Sequence, residues 1–559
     1  MVQSSMKAVF RYASAALLAG QAAALGPGVV MPFLQNNVEV PSDPKLSEEG
    51  SSRIKAYNLS VPVDHFHNES KYEPHSDDFF NLRYWLDTSF YRPGGPVIVL
   101  HSGEFTSEGR LPYLEHGIAN ILANATGGVA LVMEHRYYGT SWPVPNTTLE
   151  NMRFLDTEQA LADTAYFAQH VTFPGLEHVN LTSEHAPWVI YGGSYAGAFA
   201  ALTRKLYPDV YWGGISSSGV PMVIEDFWQY FEAFRYFAPE GCSEVTQKLV
   251  HVVDNILFSG KRDEVCRLKE LFHLGELEDD EFGSAITAGS HGLQSTNWDP
   301  AEDNADLGYY CAAVTSTAQL FASTRHLHDA ARHFVKLGGY GHEVDVLEKQ
   351  FVNFLGTVRD RVKKNMKSCE GKSQRECFSN RFSKVGDGIE EGFIKSWTYQ
   401  TCTQWGYFIS GASVPEDRLP LISRAVTLEY ATTACRNWFN ITTSPDVESI
   451  NKHGGFDFSY PRLAFIDGRQ DPWRAAGVHA MGQPDRKSTT SEPFEFVDWG
   501  VHHWEEFGLK EGVTEEGLPP RQVVDSQQQQ IKFVKAWLKE WDEKHGKNTE
   551  GGDDDRNDL

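Results

Sequence analysis

The residues that could do chemistry converge on one serine. In Trp188-Val189-Ile190-Tyr191-Gly192-Gly193-Ser194-Tyr195-Ala196-Gly197-Ala198-Phe199-Ala200-Ala201 an apolar strand pattern runs into a serine preceded by glycines, then into an alanine-rich helix that lasts until Pro208. A turn that sharp admits only small neighbours. It holds the hydroxyl out at a helix N-terminus, where the helix dipole favours the negative charge that develops in acyl transfer. The position two after the serine is Ala196 where a glycine is usual, with Gly197 next, and an alanine still fits a tight elbow.

A nucleophilic serine needs a base, and the base needs an orienting acid. After the strand-like run Leu463-Ala464-Phe465-Ile466 comes Asp467-Gly468-Arg469-Gln470-Asp471-Pro472-Trp473. After Phe494-Glu495-Phe496-Val497 comes Asp498-Trp499-Gly500-Val501-His502-His503-Trp504. The order serine, acid, histidine, with the last two on loops after late strands, is that of a Ser-Asp-His triad on an α/β sheet. Asp-Gly directly after a strand reads as turn chemistry, which leaves Asp471 as the acid. Spacing alone does not separate His502 from His503. The oxyanion hole is expected from the backbone N–H of Tyr195 plus a donor in the loop His101-Ser102-Gly103-Glu104, with Gly103 permitting close approach. Glu104 reads equally as a substrate-binding acid and as a solvated loop glutamate.

These groups need a frame. Val97-Ile98-Val99-Leu100, Val129-Ala130-Leu131-Val132-Met133 and Trp188-Val189-Ile190-Tyr191 are short, continuous and apolar, as strands covered on both faces of a parallel sheet are. Thr157 to Gln169 carries helical periodicity between the last two, giving strand, helix, strand. From about Val223 to Tyr430 the pattern turns helical, with most of the cysteines and few strand-like runs. Strand signals return at Leu463 and Phe494, and a helix from about Val524 to Trp541 closes the fold. The expected organisation is 1–24 a signal peptide, 25–222 and 431–543 the two parts of a hydrolase domain, 223–430 a helical insertion, and 544–559 a disordered acidic tail. Gln527 to Gln530 reads as a solvated helix face.

With 559 residues, 41% hydrophobic, 22% charged and a mean hydropathy of -0.40, the chain is a soluble globular protein. Its net charge of -25 repels phosphate backbones and anionic lipid heads, so nucleic acid is not an expected partner. Lys7 and Arg11, the apolar run Tyr12 to Ala19 and the small residues Ala22-Ala23-Ala24 read as a secretory signal, too short to span a membrane, with the mature chain starting near Leu25. Sequons at Asn58, Asn68, Asn124, Asn146, Asn180 and Asn440 fit a glycosylated surface. Seven cysteines, all from Cys242 onward, imply disulfides and at least one cysteine left over. None is spaced as a zinc ligand, so no metal and no cofactor is expected. The compartment is then extracellular or a vacuolar or lysosomal lumen, and a homodimer is left open.

These pieces together resemble the prolyl carboxypeptidase and dipeptidyl peptidase II family of serine peptidases, the lysosomal Pro-X carboxypeptidase family with secreted fungal members. The resemblance is carried by Asp64-His65-Phe66, Arg83-Tyr84, Gly94-Gly95-Pro96, Ser102-Gly103-Glu104, Glu134-His135-Arg136-Tyr137-Tyr138-Gly139 with Ser141 and Pro143, and Glu158-Gln159-Ala160-Leu161-Ala162-Asp163. It continues through Gly192-Gly193-Ser194-Tyr195, Tyr207-Pro208, Trp397, Tyr399-Gln400, Cys402, Gly468, Asp471-Pro472-Trp473 and His502-His503. The resemblance implies an α/β-hydrolase fold interrupted by a helical cap, with Ser194 as nucleophile, Asp471 as acid and His502 as base. Ala196 and Trp504-Glu505-Glu506 depart from the family pattern, the latter where relatives often carry Leu-Asp.

The expected function is a secreted serine peptidase that cleaves peptides after proline or a small residue. A carboxylesterase or lipase on the same fold, and a non-catalytic binding protein, are the competing readings. A proline ring is compact, apolar and lacks an N–H, so an aromatic slot selects it, and Trp397 and Tyr399 are the candidate walls. A disulfide from Cys402, with Cys242 as candidate partner, would tie the insertion over the triad.

Overall fold

The computed structural model describes residues 53–287, 292–389, 392–510 and 512–546. The expected signal peptide and most of the expected acidic tail lie outside them.

Eight strands form one sheet: β1 (Lys55–Pro62), β2 (Phe79–Asp87), β3 (Val97–His101), β4 (Val129–Met133), β5 (Trp188–Gly193), β6 (Gly213–Ser217), β7 (Leu463–Gly468) and β8 (Phe494–Val497). Their spatial order is β1-β2-β4-β3-β5-β6-β7-β8. β1 pairs antiparallel with β2, and β2 antiparallel with β4, while every pair from β4 to β8 is parallel. This is the α/β-hydrolase fold. Because β3 to β8 run in one direction, their C-terminal ends share one edge, and the loops that leave those ends meet there.

The principal helices are α1 (Ile118–Thr126), α2 (Thr157–His170), α3 (Tyr195–Leu206), α4 (Cys242–Leu257), α5 (Val344–Ser368), α6 (Gly392–Gln400) and α7 (Arg521–Lys544). Successive strand side chains point to opposite faces. Ile98, Leu100, Val132 and Val189 pack with Leu122 of α1 and Phe533, Val534 and Trp537 of α7. Val97, Val99, Leu131 and Ile190 pack on the other face with Ala165 and Phe167 of α2 and Ala200 of α3. Both faces are therefore dry, which is why these strands read as unbroken apolar runs.

β6 carries no such signal, and the reason is packing. A Cβ on Gly213 would lie 2.7 Å from Trp537 Cε3, and one on Gly214 would lie 2.9 Å from Arg204 Cβ, so the helices on either face exclude side chains there. Between β6 and β7 the described chain is helical apart from one isolated bridge, Asp226 to Phe408. The core of this segment, including Val253 of α4 and Phe351 of α5, is continuous with Tyr195, Phe199 and Leu202 on α3 and with Trp473.

The disulfides correct one expectation. Cys402 bonds to Cys435 and Cys242 to Cys311, with Cys369–Cys377 the third pair, and Cys266 is free and exposed. Cys402–Cys435 sits among Phe408, Ala431 and Phe439, with Tyr399 packed against the group. The glutamine run is also not a solvated face. Gln528 and Gln529 are exposed, but Gln527 and Gln530 are buried, and Gln527 Nε2 donates to the carbonyls of Glu505 and Phe507 at 3.0 and 2.8 Å.

Candidate active site

Ser194 stands between β5 and α3 as the helix N-cap, with φ 61° and ψ -125°. Left-handed backbone is costly for a non-glycine residue and persists only where the surroundings enforce it. Here they do. A Cβ on Gly192 would lie 1.9 Å from the Ala196 carbonyl oxygen, and one on Gly193 2.3 Å from Glu506 Oε1. The Ser194 N–H donates to the Ser217 carbonyl at 2.9 Å, tying the elbow to the end of β6. Ala196 causes no conflict, since Gly197 is the position pressed against neighbouring backbone, 2.8 Å from the Ser217 oxygen to its notional Cβ.

Asp471 follows β7 and uses both carboxylate oxygens. Oδ1 accepts from the Trp473 N–H at 2.9 Å, capping the short helix Pro472–Ala476, and Oδ2 meets His502 Nδ1 at 2.8 Å. A carboxylate only accepts, so Nδ1 carries the proton and Nε2 of the neutral ring is a lone pair. Nε2 is buried and has no hydrogen-bond partner among the described residues. His503 is turned elsewhere: its backbone is left-handed at φ 39°, its N–H donates to Ser218 Oγ at 2.9 Å, and its ring lies 3.3 Å from Glu506. Burial, with His502 and Arg110 nearby, holds His503 well below the usual histidine range, so it stays neutral. Asp467 is not turn chemistry after a strand. It lies within β7, and its Oδ2 pairs with buried His479 at 2.5 Å.

The loop after β3 closes on the elbow. Gly103 has φ +70°, and a Cβ there would lie 3.1 Å from that of Ala196. The Gly103 N–H, however, donates to His101 Nδ1 at 3.2 Å, so it is engaged within its own loop. This corrects Gly103 as an oxyanion donor, and the next amide, that of Glu104, is turned on its own carboxylate. Glu104 is buried rather than solvated, at 3% exposure. Burial raises its carboxyl pKa against the opposing pull of Arg110 and His502.

Tyr195 is held by two partners at its hydroxyl. Its hydroxyl accepts from Gln400 Nε2 at 2.8 Å and lies 3.0 Å from His135 Nε2. His135 Nδ1 is 2.6 Å from the Arg136 carbonyl and therefore carries the proton, so Nε2 accepts from the Tyr195 O–H. Burial lowers the His135 pKa to about 4, consistent with that neutral tautomer. Tyr138 donates to Gln400 Oε1, completing the chain. Trp397 and Trp405 pack edge-on to the Tyr195 ring, at 5.3 and 4.7 Å between centroids. Tyr399 does not join Trp397. Two residues along a helix is about 200° of rotation, and Tyr399 packs on Phe439 at 5.3 Å beside the Cys402–Cys435 bridge.

The sequence reading missed His135, Gln400, Tyr138 and Trp405 as site neighbours. It also missed Glu505 and Glu506, which are 0% and 3% exposed directly beneath the elbow. Ser217 Oγ donates to Glu505 Oε1 at 2.6 Å. Burial, with Asp467 and Asp471 adding to it, raises Glu505 to about 7, and burial plus Glu505 raises Glu506 well above the carboxylate range. Asp64, His67 and His75 bring potential ligand atoms within 4.8 Å of one another. Asp64 is already occupied, accepting from the Phe66 N–H at 2.9 Å and Gln159 Nε2 at 2.7 Å and meeting His75 Nδ1 at 2.7 Å. Five sequon asparagines are exposed; Asn146 is half-buried, its Oδ1 accepting from Thr148 N–H and Asn151 Nδ2.

An α/β-hydrolase sheet with a serine elbow after β5 and loops bearing an Asp–His pair after β7 and β8 defines a serine hydrolase. The family model for serine carboxypeptidase S28 matches residues 62–281 and 343–491, and the chain belongs to that family. It is 44% identical over 499 residues, 88% of this chain and 69% of the relative, to a probable extracellular serine carboxypeptidase of Arthroderma benhamiae. It is also similar to serine protease vicPa of Bipolaris victoriae, 27% identical over 76% of this chain and 80% of that one. A third relative is the thymus-specific serine protease of Mus musculus, 25% identical over 75% of this chain and 77% of that one. Among solved structures, an open-form lipase overlaps 87% of this chain and 99% of its own with 11% identity and a TM-score of 0.30. The strand order, rather than that weak overlap, defines the fold. Among the described residues no helix is long and apolar enough to cross a membrane.

Proposed function

We propose that this protein is a secreted serine carboxypeptidase that cleaves after proline or a small residue through a Ser194-His502-Asp471 triad. The observation that carries it is the buried His502 ring, fixed through Nδ1 on Asp471 and left with an unpartnered Nε2 at the sheet edge where Ser194 caps α3. His502 Nε2 takes the Ser194 proton as Oγ attacks the scissile carbonyl, and returns it to the leaving amine. Asp471 keeps the ring in the required tautomer and stabilises the imidazolium. The N–H of Tyr195 at the start of α3 stabilises the oxyanion, and water then releases the acyl group by the same path. Trp397, against the Tyr195 ring, supports a narrow apolar slot for proline. Residues 223–430 act as the cap over this edge, supported by the shared core of that segment with α3 and Trp473. Secretion is supported by the signal-like N-terminus and three disulfides. Mass-spectrometric mapping of products from a peptide library with proline at internal, penultimate and third positions tests the reading. Release of residues that follow proline is expected; turnover of p-nitrophenyl esters with every peptide left intact would replace it with an esterase.

A further inference from the structure

Arg110 has no part in the chemistry above, yet it is built into the site. Its Nε donates to the Ser102 carbonyl at 3.3 Å, on the loop that leads into Gly103 and Glu104. Its guanidinium lies 5.9 Å from the ring centroids of both Phe105 and Tyr113, which flank it. Among the described residues no carboxylate comes within 4.0 Å of it, so it has no ion-pair partner. It is half-buried, and its field reaches Glu104, His503, Glu506 and Glu302. A guanidinium anchored at Nε, flanked by aromatic rings and without a carboxylate partner matches the planar fork that binds a carboxylate.

We propose that Arg110 binds the α-carboxylate of the substrate's C-terminal residue, so that the enzyme removes one residue at a time from free peptide C-termini. This rests on the peptidase reading of the same site. One residue spans roughly 3.3–3.6 Å, so the terminal carboxylate of a departing residue lies just beyond the scissile carbonyl and needs a cation beside the loop that closes on the elbow. Arg110 is bonded to that loop. The opposite polarity, capture of an N-terminal ammonium, would require an ionised acid, and Glu104 and Glu506 are both buried in surroundings that favour their neutral forms.

The test uses an N-acylated dipeptide with proline before the scissile bond, supplied as the free acid and as the C-terminal amide. The native enzyme should prefer the acid, and Arg110→Met should cut the acid-to-amide ratio of kcat/KM by about 10- to 100-fold, mainly through KM, as expected for loss of hydrogen bonds to a charged group. Arg110→Lys, which keeps the charge without the fork, should fall between. A measurement on the native enzyme alone covers failure of the variants to fold: a non-cleaved peptide acid should inhibit more tightly than its amide. Equal losses on acid and amide, or equal inhibition by both, would overturn the assignment of Arg110 while leaving the peptidase intact. Native turnover of an activated ester with neither peptide cleaved would overturn the peptidase reading and this one with it.

Discussion

Replacing Glu505 by glutamine should change how stability depends on pH. Glu505 is fully buried, accepts from Ser217 Oγ, has no basic partner among the described residues, and burial pushes its carboxyl up to about 7 from an ordinary value of 4.5. A raised acid pKa means that the native state keeps a proton which the unfolded chain has already lost. The stabilisation is complete below about pH 4.5 and declines as pH rises through about 7. The loss accrues at about 1.4 kcal/mol per pH unit and reaches roughly 3 kcal/mol once the native carboxyl ionises. For a chain of this length, with an unfolding entropy of about 2.1 cal/mol/K per residue, that corresponds to a melting shift of roughly 3 °C. The buried neutral histidines His101, His135 and His503 act in the opposite sense, their held-down pKa values costing stability as pH falls below about 6.5. The clean readout is therefore the difference between native and Glu505→Gln melting temperatures, measured from pH 4.5 to 8 in a Ser194→Ala background that prevents self-digestion. The variant should gain on the native protein as pH rises, and a difference constant across that range would refute the reasoning.

Asp471→Asn should preserve the fold and lower kcat by roughly four orders of magnitude, because the amide favours the wrong His502 tautomer; a loss below tenfold in steady-state kinetics would count against the pair. Trp397→Ala should cost about 1 to 3 kcal/mol more against a proline substrate than against its alanine analogue, whereas equal losses with a lowered melting temperature would make Trp397 a packing residue only. Gln400→Leu should free the Tyr195 hydroxyl from one partner and lower kcat about fivefold with little change in KM, since a net hydrogen bond contributes about 1 kcal/mol; an unchanged kcat would show that the Tyr195 tether does not position the oxyanion amide.

Much of this was legible in the sequence because the chemistry imposes its own local pattern. The elbow could be read because the flanking glycines are forced by backbone 1.9 Å away and by Glu506, and β3, β4, β5 and β7 could be read because both their faces are dry, whereas β8 is half-buried at three of its four residues. β6 could not, since Trp537 and Arg204 from distant parts of the chain occupy the space its side chains would need. β1 and β2 were missed for another reason: β1 is mostly exposed or half-buried and carries polar residues, so it lacks the apolar run. Disulfide partners have no local signature, and Cys402 found Cys435 rather than Cys242. Tyr399 was read from its nearness to Trp397 in sequence, where helical rotation sends the two to different neighbours. Glu505 and Glu506 were visible only as a departure from relatives, because nothing local reveals that a Glu-Glu pair will be buried.

The proposed reaction requires that Ser194 be acylated and that His502 activate it. Reaction with a fluorophosphonate, followed by peptide mass spectrometry, tests it most directly. The adduct should fall on Ser194 in the native protein and form orders of magnitude more slowly in His502→Ala, with His503→Ala close to native. Labelling on another serine, or labelling of Ser194→Ala at the native rate, would contradict the account.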